Sequence, residues 1–197
     1  MLFESPINLK MKDADVIYYP NFFHQSLADT LFENLLSQMN WKQDSITVFG
    51  KTHLQPRLTA FYANNKNEYK YSNIIMQPHP FSGDLLKIKN NIETALNIDF
   101  TSCLANLYRD GKDSNGWHAD DEKELGESPI IASVSFGAER IFHFKHKFDN
   151  ALKTKLILQH GSLLLMQGET QAYWLHQIPK TQKHIGKRIN LTFRIIA

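Results

Sequence analysis

The sequence predicts an α+β fold with a mainly β core, and three observations carry that reading. Two stretches in the first hundred residues place apolar side chains at helical spacing. The second half breaks into short extended runs separated by turn residues. The last of these runs alternates polar and apolar side chains from Arg188 to Ile195. Helices followed by many short strands favour a double-stranded β-helix, a jelly-roll or cupin-like double sheet buttressed by N-terminal helices and fronted by a lid of hairpins.

The first helix is expected over residues 26–39, where Leu27, Leu31, Leu35 and Leu36 share a face and Asp29 and Glu33 fall between them. Residues 45–51 read as a strand entering a tight turn at Gly50, and residues 56–62 as the strand that follows, making a hairpin tipped by Phe49. A second helix over residues 83–96 puts Leu85, Leu86, Ile88, Ile92 and Ala95 on one stripe. Extended segments are then expected at 103–108, 130–136, 140–144, 155–158, 162–166 and 188–196.

At 197 residues the chain suits one domain, 1–197, in which about 1–100 supplies helices and lid and about 101–197 the double-sheet core. A hydrophobic share of 42% with no long apolar run argues against a membrane protein, and the start lacks a basic segment followed by an apolar one, which argues against secretion. Cys103 is the sole cysteine, so no internal disulfide forms. That fits a reducing compartment and a cytoplasmic protein, or a nuclear one in a eukaryotic host. The net charge of +2 is too small to argue for nucleic acid. Two basic clusters, Lys145, His146, Lys147 and Lys180, Lys183, His184, Lys187, each read first as a solvated face.

The chemistry begins with the final strand. Arg188, Asn190, Thr192 and Arg194 fall on every second residue, with Ile189, Leu191, Phe193 and Ile195 between them, so one face carries two guanidiniums, an amide and a hydroxyl. Inward guanidiniums need an anion, small and acidic, and their fork suits a carboxylate or a phosphate. Asn106 and Tyr108 form another alternating pair that can donate to a carboxylate. His118 and Asp120, two apart on an extended segment, project to one side, and His176 follows a predicted strand that returns to the same end of the barrel. Two imidazoles and one carboxylate leave open positions on octahedral iron(II), although zinc accepts the same ligands. A metal site beside a small dicarboxylate is the result.

The stretches Asn106-Leu-Tyr-Arg-Asp-Gly111, Gly116-Trp-His-Ala-Asp-Asp-Glu122, Ser133-Val-Ser-Phe-Gly137, His160-Gly-Ser-Leu-Leu-Leu-Met166 and Arg188-Ile-Asn-Leu-Thr-Phe-Arg194 closely resemble the AlkB family of 2-oxoglutarate- and iron(II)-dependent dioxygenases, and most its duplex-DNA-preferring members. The likeness runs from about Thr47 onward. It implies that His118, Asp120 and His176 hold Fe(II), and that Asn106, Tyr108, Arg188, Asn190, Thr192 and Arg194 surround 2-oxoglutarate. It also implies the reaction: O2 and 2-oxoglutarate drive ferryl hydroxylation of an N-alkyl carbon, and an aldehyde leaves.

A stacked base cannot reach a buried metal, so the resemblance further implies base flipping in alkylated DNA carrying lesions of the 1-methyladenine and 3-methylcytosine type. In a nucleotide-recognition lid, Tyr71 of Tyr69-Lys70-Tyr71 matches the aromatic that stacks on the flipped base, and Arg57 matches a lid arginine near the substrate. Asp121 and Glu122 are placed to read an amino edge, with the solvent-facing alternative weighing more on Glu122. Val48-Phe49-Gly50-Lys51 looks like a finger whose aromatic wedge enters a duplex, which favours double-stranded DNA gripped by a monomer. The alternatives are an RNA- or single-strand-preferring demethylase, or a 2-oxoglutarate-dependent hydroxylase of another substrate. Trp117 and the Asn64-Asn-Lys-Asn67 turn depart from the family pattern in the region that sets substrate range.

Overall fold

The computed structural model describes residues 5–48, 51–64, 69–71 and 74–196. The N-terminal part contains β1 (Ile7–Asn8), β2 (Asp15–Tyr19), α1 (Gln25–Gln38), β3 (Ser45–Val48), β4 (Lys51–Leu54), β5 (Leu58–Ala63), β6 (Tyr69–Tyr71), β7 (Ile74–Met76) and α2 (Gly83–Leu96). Then come β8 (Ser102–Tyr108), β9 (Asn115–His118), β10 (Ile131–Gly137), β11 (Arg140–His146), β12 (Lys153–Leu158), β13 (Ser162–Gln167), the short α3 (Thr170–Tyr173), β14 (Trp174–Ile178) and β15 (Arg188–Arg194). A seven-stranded sheet runs β1-β2-β13-β10-β15-β8-β5 and faces a four-stranded sheet, β12-β11-β14-β9. This is the expected double sheet. Among the described residues, no helix is long and apolar enough to cross a membrane.

Both helices form where the leucine and isoleucine stripes predict, but Leu27, Leu86 and Ala95, counted on those stripes, are exposed, and the buried faces centre on Leu31 and Leu35 in α1 and on Leu85, Ile88 and Ile92 in α2. The His24 ring nitrogen accepts the Leu27 N–H at 3.3 Å and caps α1, while α2 ends at Asn97, whose φ of 55° places it in the left-handed region tolerated by asparagine. Leu31, Leu35, Ile88 and Ile92 pack on the outer face of the large sheet, against Val134, Phe136, Ile189, Leu191 and Phe193. A second apolar cluster fills the space between the sheets with Ile131, Phe142, Phe144, Leu164, Met166 and Trp174. Burying a side chain of this size contributes about 1.5–3 kcal/mol, so the two clusters fix both faces of the large sheet. Gly137 lets β10 turn into β11: its φ is +83°, and a β-carbon there would lie 2.5 Å from the Lys187 carbonyl oxygen.

The structure departs from the sequence reading in several elements. The strand at 45–48 pairs not with residues 56–62 but with β4, in the register Ser45↔Leu54 to Val48↔Lys51, and β5 instead joins β8 in the large sheet. Pro56, which has no N–H to give a ladder, separates the two, and β5 is apolar enough to be buried along most of its length. Phe49 and Gly50, the expected tip, lie outside the described residues. Residues 174–178 form a strand where none was expected, because Trp174, His176 and Ile178 face inward between the half-buried Leu175 and Gln177. The first hundred residues also give β1, β2 and β5 to the large sheet, so the core draws on both halves of the chain. Ile195 falls beyond the end of β15 and is 38% exposed rather than part of the apolar row.

Candidate active site

The antiparallel pairing of β14 with β9 sets His176 directly opposite His118, and the two rings meet with centroids 4.3 Å apart. Asp120 lies two residues past the end of β9. One potential ligand atom from each of His118, Asp120 and His176 falls within 4.8 Å of the others, so the three can hold one ion. His118 Nδ1 is 2.7 Å from the Gly116 carbonyl oxygen, which only accepts, so Nδ1 carries the proton; Nε2 bears the lone pair, which accepts the Asn115 side-chain amide at 3.1 Å and is the atom a metal would take from it. His176 is stacked on Phe142 at 5.1 Å, and burial first, then the neighbouring His118, push its pKa down to about 3. Burial likewise lowers His118. Both imidazoles are therefore neutral at physiological pH, the form that ligates. Burial alone would raise Asp120, but Arg194, followed by the two histidines, holds it below the usual carboxylate range.

The central strand β15 sends its even-numbered side chains into the same cavity. Arg188, Asn190, Thr192 and Arg194 all line it, as do Asn106 and Tyr108 from β8. Arg194 donates from Nη2 to Asp120 Oδ1 at 2.7 Å, which puts it at the metal end. Arg188 lies deeper, only 1% exposed, with its guanidinium carbon 5.2 Å from the centre of the Tyr108 ring. Nη2 donates to Ser135 Oγ at 2.9 Å, while Nε and Nη1 are buried with no hydrogen-bond partner. Burial lowers this guanidinium to about 10, still charged at neutral pH. Leaving such donors unmet costs about 1–3 kcal/mol each, so the pocket can take an acidic group that meets them.

The neighbours of this pocket are polar groups already committed to one another. Asn106 Oδ1 accepts Arg57 Nε at 2.7 Å, so its amide nitrogen is left to donate elsewhere. Asn190 gives its amide hydrogens to Ser133 Oγ at 2.8 Å and the Val134 carbonyl at 3.1 Å, and its oxygen accepts Thr192 Oγ1 at 3.1 Å. Asn190 and Thr192 thus hold the strand and each other at the cavity wall. Ser133 and Ser135, which sequence reasoning did not assign, complete that network. Their alternation inside the apolar run of β10 was the available signal.

Arg57 is 4% exposed and bound to Asn106 and, at 3.3 Å, to the Ser114 carbonyl, so it is an internal brace beside the cavity. The two acids after Asp120 reverse the order given to them from sequence. Asp121 is exposed and paired with Lys147 at 3.1 Å, whereas Glu122 buries Oε2 without a partner. Burial raises the Glu122 pKa against the pull of Arg194. Side-chain register, not charge density, decides which of two adjacent acids turns inward. In the lid, β3 pairs with β4, placing Val48 opposite an exposed Lys51, and β6 pairs with β7, placing Tyr71 opposite Ile74. Of Tyr69, Lys70 and Tyr71 the structure describes the strand alone.

A double-stranded β-helix with two histidines and an aspartate at one end of a pocket lined by arginines defines a class, and the chain belongs to the 2OG-Fe(II) oxygenase superfamily, which matches residues 15–194. Within that class it falls in the AlkB family. It is 44% identical over 186 residues to alpha-ketoglutarate-dependent dioxygenase alkB homolog 3 of Bos taurus and 43% over 190 residues to that of Homo sapiens, covering 90% and 92% of this chain. The chain spans 64% and 66% of those two proteins. It is 37% identical over 189 residues to DNA oxidative demethylase ALKBH2 of Homo sapiens, covering 90% of this chain and 72% of that protein. The solved structure of OsALKBH1 shares the fold, with a TM-score of 0.70 over 97% of this chain and all of that one, at 16% identity. Identity is higher to the homolog 3 proteins than to ALKBH2, so it does not set this chain beside the DNA-named relatives in preference to the others.

Proposed function

We propose that this chain is an oxidative demethylase of N-alkylated bases such as 1-methyladenine and 3-methylcytosine in DNA. The observation that carries the proposal is the juxtaposition of the His118, Asp120 and His176 cluster with the unmet donors of Arg188 in one cavity. The donor set of neutral imidazoles and an ionised carboxylate fits Fe(II), and the buried guanidinium fits the far carboxylate of 2-oxoglutarate. These are the groups that the family name specifies.

When bound, iron and 2-oxoglutarate would supply the oxidising power to hydroxylate a C–H bond with O2, 2-oxoglutarate losing CO2 and taking one oxygen atom to become succinate while the other enters the alkyl carbon. The chain's residues do the placing. Arg188, with Tyr108 beside it, fixes one end of the cosubstrate, and the Asn106 amide, turned by Arg57, donates along its length. Leu104, Phe142, Met166 and Ile178 wall the cavity against water. Glu122, half-buried at the loop beyond Asp120, accepts from the amino edge of an alkylated adenine or cytosine, and Tyr71 stacks on its face, while Asp121 stays with Lys147. The hydroxylated alkyl group is a hemiaminal, which expels an aldehyde and restores the base.

DNA is the substrate named for the ALKBH2 relatives, and the Val48-Phe49-Gly50-Lys51 sequence supports a duplex. The test is mass spectrometry of a duplex carrying one 1-methyladenine, incubated with the protein, Fe(II), 2-oxoglutarate and O2. Loss of a single methyl mass is expected. An unchanged oligonucleotide, in both duplex and single-stranded form, overturns the proposal.

A further inference from the structure

His118 and His176 are held by their strand ladder, but Asp120 stands two residues beyond the last residue of β9, where no ladder fixes it. Two ties do that work. One is Arg194, on the carboxylate. The other is Gln171, in the short turn α3, whose Oε1 accepts the Asp120 backbone N–H at 2.9 Å and whose side-chain nitrogen reaches Met166 Sδ at 3.7 Å. Gln171 is 1% exposed, so this hydrogen bond has no water to replace it.

The turn that carries Gln171 is anchored in its own right. Thr170 Oγ1 accepts the Asp15 N–H at 3.0 Å, joining the turn to β2. On the outside, Lys147 Nζ donates to the Gln171 carbonyl at 2.8 Å and to Asp121 Oδ2 at 3.1 Å. A buried amide thus grips residue 120 from inside while a lysine clips residue 121 to the same turn from outside. We infer that Gln171 is a positioning residue for the metal centre: it sets where the Asp120 carboxylate sits relative to the two imidazoles, and without it the three ligands lose their common focus. The inference rests on the metal-centre reading above. Supporting partners of this kind are worth about 10- to 100-fold in metal affinity.

The test is calorimetric titration of the metal-free protein with Co(II), alongside its melting temperature. Gln171→Met keeps the volume and removes the acceptor. It should weaken Co(II) binding about 10-fold or more while the metal-free protein melts within a few degrees of wild type. Gln171→Glu keeps an acceptor oxygen and should restore affinity to within a few-fold of wild type. If Gln171→Met does not fold, Gln171→Asn, one methylene too short to reach, takes its place with the same expected loss. Wild-type Co(II) affinity in Gln171→Met or Gln171→Asn overturns the inference, as does an equal loss in Gln171→Glu. Failure of the underlying reading is distinguishable, since wild type and Asp120→Ala would then bind Co(II) alike.

Discussion

Arg194 and Asp120 form a buried ion pair, Nη2 to Oδ1 at 2.7 Å, with side chains 4% and 3% exposed. The carboxylate proposed as a metal ligand is therefore charge-neutralised by the strand that also lines the cosubstrate pocket. Breaking such a pair by removing one partner costs about 3–5 kcal/mol, because the other charge stays buried alone. Arg194→Met should accordingly destabilise the metal-free protein by about that amount. Because a cation at the His118 and His176 imidazoles replaces the missing charge, Mn(II) should raise the melting temperature of Arg194→Met more than that of wild type. Equal shifts in the two proteins would count against a metal at Asp120.

Arg188 makes the opposite case. Its Nε and Nη1 are unmet in the buried pocket, so a carboxylate that binds them stabilises the fold. At 100 times its dissociation constant a ligand adds about 2.7 kcal/mol, or roughly 5–10 °C for a protein of this size. Differential scanning fluorimetry with Mn(II) and 2-oxoglutarate should show that rise in wild type and not in Arg188→Met. The variant without ligand should be as stable as wild type or more so, since an apolar chain of similar volume replaces an incompletely satisfied charge.

Acid sensitivity should trace partly to Asp113. Burial opposes its ionisation, but hydrogen bonds from the Arg109 side chain and backbone, at 2.8 and 2.9 Å, hold its pKa below the usual value. A carboxyl whose folded pKa is depressed contributes stability that is present above its unfolded pKa, about 3.9, and lost as pH falls through the folded value. Arg109 is 41% exposed, so screening limits the contribution to about 1 kcal/mol. Asp113→Asn should be less stable than wild type at neutral pH by urea unfolding, and the gap should close below about pH 4. A gap that widens in acid would contradict this assignment.

Phe49 tests the duplex preference. If it fills the space left by an extruded base, Phe49→Ala should slow demethylation of a paired oligonucleotide at least ten-fold while leaving an unpaired one near wild-type rate, since unstacking costs a few kcal/mol per step. An equal effect on both, or none, sinks the wedge.

The strand that ends the chain was legible because a period of two is visible without knowing the partner strands: Arg188 to Arg194 alternate in sequence and in space. The helices were legible for the same reason at a period of 3.6. Strand partners were not, because pairing is decided by long-range register. Residues 56–62 read as a hairpin arm until β8 is seen to claim them. The inward turn of Glu122 and the grip of Gln171 on Asp120 depend on side-chain directions in loops and short turns, where no periodicity exists to read.

The claim on which the rest depends is that His118, Asp120 and His176 serve one redox-active metal that consumes 2-oxoglutarate when an alkylated base is present. Succinate release measures it directly. With Fe(II), 2-oxoglutarate and O2, wild type should form succinate in step with methyl groups lost from a 1-methyladenine oligonucleotide, and His118→Ala should form none. Succinate that accumulates equally from His118→Ala, or methyl loss that proceeds without succinate, would contradict it.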